Sequence, residues 1–164
     1  MRIFFAFVLA LAACLAIAQP HDPVQWSARW SAPITKKGQK VFLIVTAKIE
    51  PKWHIYAAKS GEGVFSTQVS VAPATKLFLS TGDWVLPESV AVDDPAAGKP
   101  VNVYENEVEF KLPVVIVKFS KQSVVTVSTT HQACSGEMCL RPVRSKLSLK
   151  FGAVPPVAPA SKKS

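Results

Sequence analysis

The sequence predicts an all-β domain, an immunoglobulin-like antiparallel β-sandwich. Three observations lead there: no segment sustains a helical period of apolar residues, roughly eight short runs alternate apolar with polar residues, and clusters of Pro, Gly, Asp and Ser separate them. The same pattern also fits a closed barrel.

Residues 1–18 stand apart from that fold. Arg2 followed by the apolar run Ile3 to Ile17 has the layout of a secretory signal, and Ala16-Ile17-Ala18 before Gln19 offers a small-x-small cleavage site. The run is too short for a convincing transmembrane helix. The expected folded domain is therefore 19–151, exported to the periplasm or secreted. Leu11-Ala12-Ala13-Cys14 also resembles a bacterial lipobox, which would put lipid on Cys14 and tether the protein to a membrane. Apolar Leu15 to Ala18 would be an odd start for the linker that follows such an anchor.

Val24 to Ser31 alternates strictly, as a strand with one buried face requires. Lys40 to Glu50 places Val41, Leu43, Val45, Ala47 and Ile49 on one face, and Phe42 and Ile44 make the other partly apolar, so this strand is expected to be central. After the turn signal Pro51-Lys52 comes an extended aromatic run, Trp53 to Tyr56, and then a polar glycine loop, Lys59 to Gly63. Further strands are expected at Phe65 to Val71, Leu77 to Leu79, Trp84 to Leu86, Val108 to Val117, Ser123 to Ala133 and Lys146 to Phe151. Asp93 to Pro100 is the longest break in this patterning and reads as an exposed loop. The proline-rich, small-residue stretch 152–164 reads as a disordered tail.

Removing Arg2 with the signal takes the formal charge from +8 to +7. The lysines are scattered, paired only at Lys36-Lys37 and Lys162-Lys163, which fits a solvated basic surface and argues against nucleic-acid binding. Roughly 140 mature residues suffice for one domain that buries most of its apolar surface without disulfide staples.

The remaining cysteines, Cys134 and Cys139, therefore need their own explanation. In an oxidising compartment a close, even pair is expected to form a disulfide. If Ser135-Gly136 begins a reversal, Cys134 ends one strand and Cys139 begins the return, which brings their Cα atoms into the ~4.4–6.8 Å range of a disulfide. Closing so short a loop removes only about 2 kcal/mol of chain entropy, so the pair is poorly placed as a staple and better placed as a redox site at a hairpin tip. Arg141 would favour a thiolate on Cys139, and Glu137 would oppose one on either sulfur. His131, three residues before Cys134, can orient a thiol or exchange a proton, or can simply be a satisfied strand residue. Cys134, Cys139, His131 and Met138 are also soft ligands suited to copper(I), but without a Cys-x-x-Cys and with a single local histidine, neither metal nor cofactor is expected.

His131-Gln132-Ala133-Cys134 through Cys139-Leu140-Arg141-Pro142 resembles the cysteine motif of the N-terminal periplasmic domain of the thiol:disulfide interchange protein DsbD. Ala47 to Tyr56, with its Trp53-His54-Ile55-Tyr56, and Val103 to Val108 are similar to that family as well. The resemblance spans roughly Val24 to Phe151. It implies an immunoglobulin-like sandwich that takes electrons from a thioredoxin-like domain fed by a membrane-embedded one and passes them to periplasmic oxidoreductases, so that the expected partners are thioredoxin-like periplasmic proteins or a transmembrane thiol:disulfide reductase. Cys139 would form the mixed disulfide and Cys134 would resolve it. In this sequence neither transmembrane helices nor a thioredoxin-like domain accompany the motif, so a donor is expected to act in trans. The family's shielding loop corresponds to Asp93 to Lys99, which supplies the acids, making Asp94 a candidate site residue, but lacks the aromatic cap. His131 replaces an aromatic residue, and the loop between the cysteines is shorter. A non-catalytic immunoglobulin-like binding module whose disulfide pins a hairpin is the competing reading.

Overall fold

The computed structural model describes residues 21–72, 76–95 and 97–151. The expected signal segment with Cys14, and the expected tail 152–164, lie outside the described residues. The described chain is built from antiparallel strands: β1 (Val24–Trp30), β2 (Lys40–Ile49), β3 (His54–Tyr56), β4 (Gln68–Val71), β5 (Phe78–Ser80), β6 (Val90–Asp94), β7 (Lys99–Tyr104), β8 (Glu107–Ile116), β9 (Val124–His131), β10 (Ala133–Cys134) and β11 (Val143–Lys150). No helix among the described residues is long and apolar enough to cross a membrane.

The strands form three sheets, ordered β1-β2-β8-β5, β11-β9-β4 and β10-β3-β7-β6. The first two face each other. The alternating residues Leu43, Val45 and Ala47 of β2 and Phe110, Leu112 and Val114 of β8 share one apolar cluster with Val125 and Val127 of β9 and Leu149 of β11. Period-2 alternation therefore makes the sandwich, since each strand sends every second side chain into the common core. This is the immunoglobulin-like architecture expected from the sequence. β2 lies between β1 and β8, as its two-sided apolar character predicts, with Ile44 buried on the second face, whereas Phe42 is exposed.

Trp30 sits at the centre of the packing, fully buried, edge-on to both Phe78 and Phe151, with its indole N–H donated to the Lys150 carbonyl at 3.2 Å. Such tilted aromatic contacts add to the burial of the large ring.

The segment expected to be an open loop, Asp93 to Pro100, is instead the end of a hairpin. Asp93 pairs with Pro100 and Asp94 with Lys99, and the Asp94 carbonyl accepts the N–H groups of Ala97 and Gly98. Gly98 takes φ 65°, a left-handed conformation that a side chain would resist. Pro100 is tolerated because it lies beyond the reach of β3, which pairs with β7 only at Val103 and Tyr104. Turn residues are so dense here that they hide the apolar alternation of Val90, Val92, Val101 and Val103. The expected strand at Trp84 to Leu86 reduces to one bridge, Val85 to Lys111.

Trp30→Ala should lower the unfolding free energy by about 3–5 kcal/mol, the usual cost of deleting a buried aromatic. Urea denaturation reads this directly, and a loss under about 1 kcal/mol would show that Trp30 is not the centre of the packing.

Candidate functional site

The third sheet presents a different residue set on each face. On β3, Ile55 points into the main core, while His54 and Tyr56, one residue to either side, point the other way. Register carries this second face across the sheet: Tyr56 lies opposite Val103, Val103 opposite Val90, and Val101 opposite Val92. Asp94 follows Val92 on the same face and Cys134 lies opposite His54. Tyr56, Val101, Val103 and Cys134 form a small buried cluster, with Val64, Val92, Ala97 and Cys139 packed against it.

Cys134 arrives there because the chain changes sheets. β9 ends at His131 in the second sheet, Gln132 breaks the pairing, and Ala133-Cys134 joins β3 in the third. The chain then reverses, with Ser135 N–H donated to the Met138 carbonyl and Leu140 N–H to the Ala133 carbonyl. These two bonds flank Cys134 and Cys139, which makes them a non-hydrogen-bonded antiparallel pair, the kind in which Cα atoms approach most closely. Their Cα atoms are 4.0 Å apart and their sulfurs are joined in a disulfide. The distance falls just under the range expected from sequence. The Gln132 side-chain amide donates to the Leu140 carbonyl at 3.0 Å and steadies the return.

The two sulfurs differ in exposure. Cys134 is fully buried, whereas Cys139 is partly exposed beside the exposed tip residues Gly136, Glu137 and Met138. Cys139 lines a cleft of about 470 Å³ with Tyr56, Gly63, Val64, Phe65, Ala97 and Gln132. Val64 and Phe65 come from the loop after β3, which is strapped down by a Ser60–Ser66 hydroxyl contact at 2.7 Å and by Lys99, whose ammonium donates to the Glu62 carbonyl at 2.6 Å. An aromatic ring, Phe65, thus lines the same cleft as Cys139, supplied by the segment after β3 rather than by the β6–β7 turn.

Asp94 and Tyr56 connect to the pair. The Tyr56 hydroxyl donates to Asp94 Oδ2 at 2.7 Å and lies 3.8 Å from Cys139 Sγ. Burial, then the hydrogen bond to Asp94 and its charge, push the Tyr56 hydroxyl up to about 12. Asp94 is itself buried, and its Oδ2 is 3.8 Å from His54 Nε2.

His131 is placed differently. It lies on β9 with both ring nitrogens engaged away from the sulfurs: Nδ1 accepts the Trp26 indole N–H at 3.2 Å, which leaves Nε2 as the donor to Asp22 Oδ1, also at 3.2 Å. Asp22 Oδ1 in turn accepts the Val24 N–H. These contacts tie the start of the domain to the end of β9. Arg141 and Glu137 are exposed and make no ion pair among the described residues. Sequence reasoning did not single out His54 and Tyr56 as site residues. The available signal was their i, i+2 spacing on a strand beginning beside a turn, which puts both side chains on one face.

A family model described as "Thiol:disulfide interchange protein DsbD, N-terminal" matches residues 22–150. Among solved structures, the chain is similar to the N-terminal periplasmic domain of ScsB from Proteus mirabilis, with a TM-score of 0.61 and 21% identity over 85% of this chain and 51% of that one. It is also similar to the N-terminal domain of DsbD from Neisseria meningitidis in the reduced form, with a TM-score of 0.50 and 17% identity over 78% of this chain and 86% of that one. The chain thus spans about half the length of the ScsB chain. No curated protein matches it.

The alkaline limb of stability should expose the Tyr56 contact. Its folded value lies above the ordinary 10.0, so the stabilisation is complete below pH 10 and is lost as pH rises through about 12. Phenolate absorbance of Tyr104→Phe, which leaves Tyr56 as the sole tyrosine, should rise with a midpoint near 12. A midpoint at 10 would mean that the hydroxyl is neither buried nor bonded to Asp94.

Proposed function

The chain belongs to the family of DsbD N-terminal domains, and on that premise we propose that it is an exported domain passing electrons through Cys134 and Cys139 to or from partner oxidoreductases. In the reducing direction, the Cys139 thiolate attacks a partner disulfide, forming a mixed disulfide and expelling one partner thiolate. The Cys134 thiolate then attacks Cys139 Sγ and expels the second. The partner gains two electrons and two protons, and the domain is left with the disulfide seen here. The reverse sequence reloads it.

The observation that supports this assignment is the difference in exposure: Cys139 opens onto a cleft, while Cys134 lies behind it, fully buried and in bonding position. An incoming disulfide can meet Cys139 in line, and the resolving thiol needs no rearrangement of the backbone. Tyr56 and Asp94 give the departing proton a route. Since the Tyr56 hydroxyl already donates to Asp94, a reduced Cys139 can donate its S–H to the phenol oxygen, and the proton passes along the pair as the thiolate forms. Phe65 and Val64 line the cleft onto which Cys139 opens, favouring a partner whose cysteine is carried on a protruding rim. Thioredoxin-like periplasmic proteins present such a cysteine, and a transmembrane thiol:disulfide reductase is the complementary donor.

Single-thiol variants test the order of attack. Reduced Cys134→Ala, which keeps Cys139, should react with a small aromatic disulfide at least about tenfold faster than Cys139→Ala, which keeps the buried thiol. Equal rates, or faster reaction of Cys139→Ala, would assign the entry sulfur wrongly.

A further inference from the structure

Cys134 Sγ, His54 and Asp94 each offer one ligand atom, and the three atoms lie within 4.8 Å of one another. They come from β10, β3 and β6, so no local motif announces them. One further observation marks the place as more than a crowded polar patch. His54 Nε2 is buried and has no hydrogen-bond partner among the described residues, and Asp94 Oδ2 stands 3.8 Å away. Buried polar atoms are rarely left unpaired without a reason.

We propose that the reduced domain binds one zinc ion through the Cys134 thiolate, the His54 imidazole and the Asp94 carboxylate, and that the disulfide form does not. A nitrogen, an oxygen and a sulfur donor make a set zinc accepts readily, with its fourth tetrahedral position left for water. The carboxylate disfavours copper(I), which prefers sulfur and imidazole. Zinc–ligand distances of ~2.0–2.3 Å require the three atoms to draw together by rotation of their side chains. The Tyr56 hydroxyl on Asp94 holds the carboxylate in its orientation, the part an outer partner plays in a metal site.

Redox state gates the site through Cys134. In the disulfide its sulfur is bonded to Cys139 and carries no negative charge, so it is a poor ligand. A phosphine reductant takes up oxygen from water and delivers two electrons and two protons, leaving two thiols. Zinc then displaces the proton of the Cys134 thiol to solvent and forms the Zn–S bond. No metal was expected from the sequence, because the residues around the hairpin alone make a weak set, and His54 and Asp94 join it only through strand pairing.

The test is zinc titration of the phosphine-reduced and the oxidised protein against a chromophoric zinc chelator. No partner protein is present, so the result does not depend on the electron-relay reading. Reduced protein should take up one zinc per chain and oxidised protein none. Cys134→Ser, a change of one atom, and His54→Gln should each weaken binding by at least about tenfold, while Cys139→Ser should keep it. With cobalt(II) in place of zinc, reduced wild type and Cys139→Ser should show thiolate-to-cobalt charge-transfer absorption and Cys134→Ser should not. Equal binding by oxidised and reduced protein, or wild-type affinity in Cys134→Ser or His54→Gln, overturns the proposal.

Discussion

Two main-chain hydrogen bonds, Ser135 N–H to the Met138 carbonyl and Leu140 N–H to the Ala133 carbonyl, set the geometry on which the rest of the site depends. They hold Cys134 and Cys139 directly opposite one another at the narrow antiparallel position, with Cα atoms 4.0 Å apart. Backbone pairing, and not the cross-link alone, thus holds the two cysteines opposed. The cross-link itself closes too short a loop to restrain the unfolded chain much. A pair held opposed by main-chain hydrogen bonds suits a thiol pair that exchanges better than one that merely fastens.

The clamp acts in concert with the crossing at Gln132. By leaving the second sheet and entering the third, the chain brings Cys134 onto a face already carrying His54, Tyr56 and Asp94, while the other face of that sheet seals the main core with Ile55 and Tyr104. One short sheet therefore both closes the hydrophobic interior and lines the site. Burial there strengthens each polar contact: the Tyr56 hydroxyl is bound to Asp94 rather than to water, and its proton is correspondingly hard to remove. At the exposed margin, Phe65 and Val64 from the loop after β3 line the same cleft as Cys139.

The sequence made most of the fold legible. Strict alternation gave β1 its existence and its inward face, and the two-sided apolar character of β2 foretold its central place. The cysteine pair and its tight reversal were also readable, because both lie in one local stretch. What escaped was whatever depends on pairing between distant strands. The β6–β7 hairpin is masked by Asp, Pro and Gly at its turn, and the neighbourhood of Asp94 and His54 exists only once β3, β6 and β10 join one sheet. His131 shows the converse: adjacency in sequence to Cys134 suggested chemistry, whereas alternation carries its ring into the interior, onto Trp26 and Asp22.

A disulfide built to open and close has a reduction potential that shows it. Equilibrating the domain with glutathione or dithiothreitol buffers of known poise and counting free thiols gives the reduction potential of the pair. The expected value lies above about −300 mV, in the range of exchange-competent disulfides, reached rapidly through Cys139. A value below about −300 mV with sluggish equilibration would contradict it and leave a sandwich whose hairpin is merely pinned.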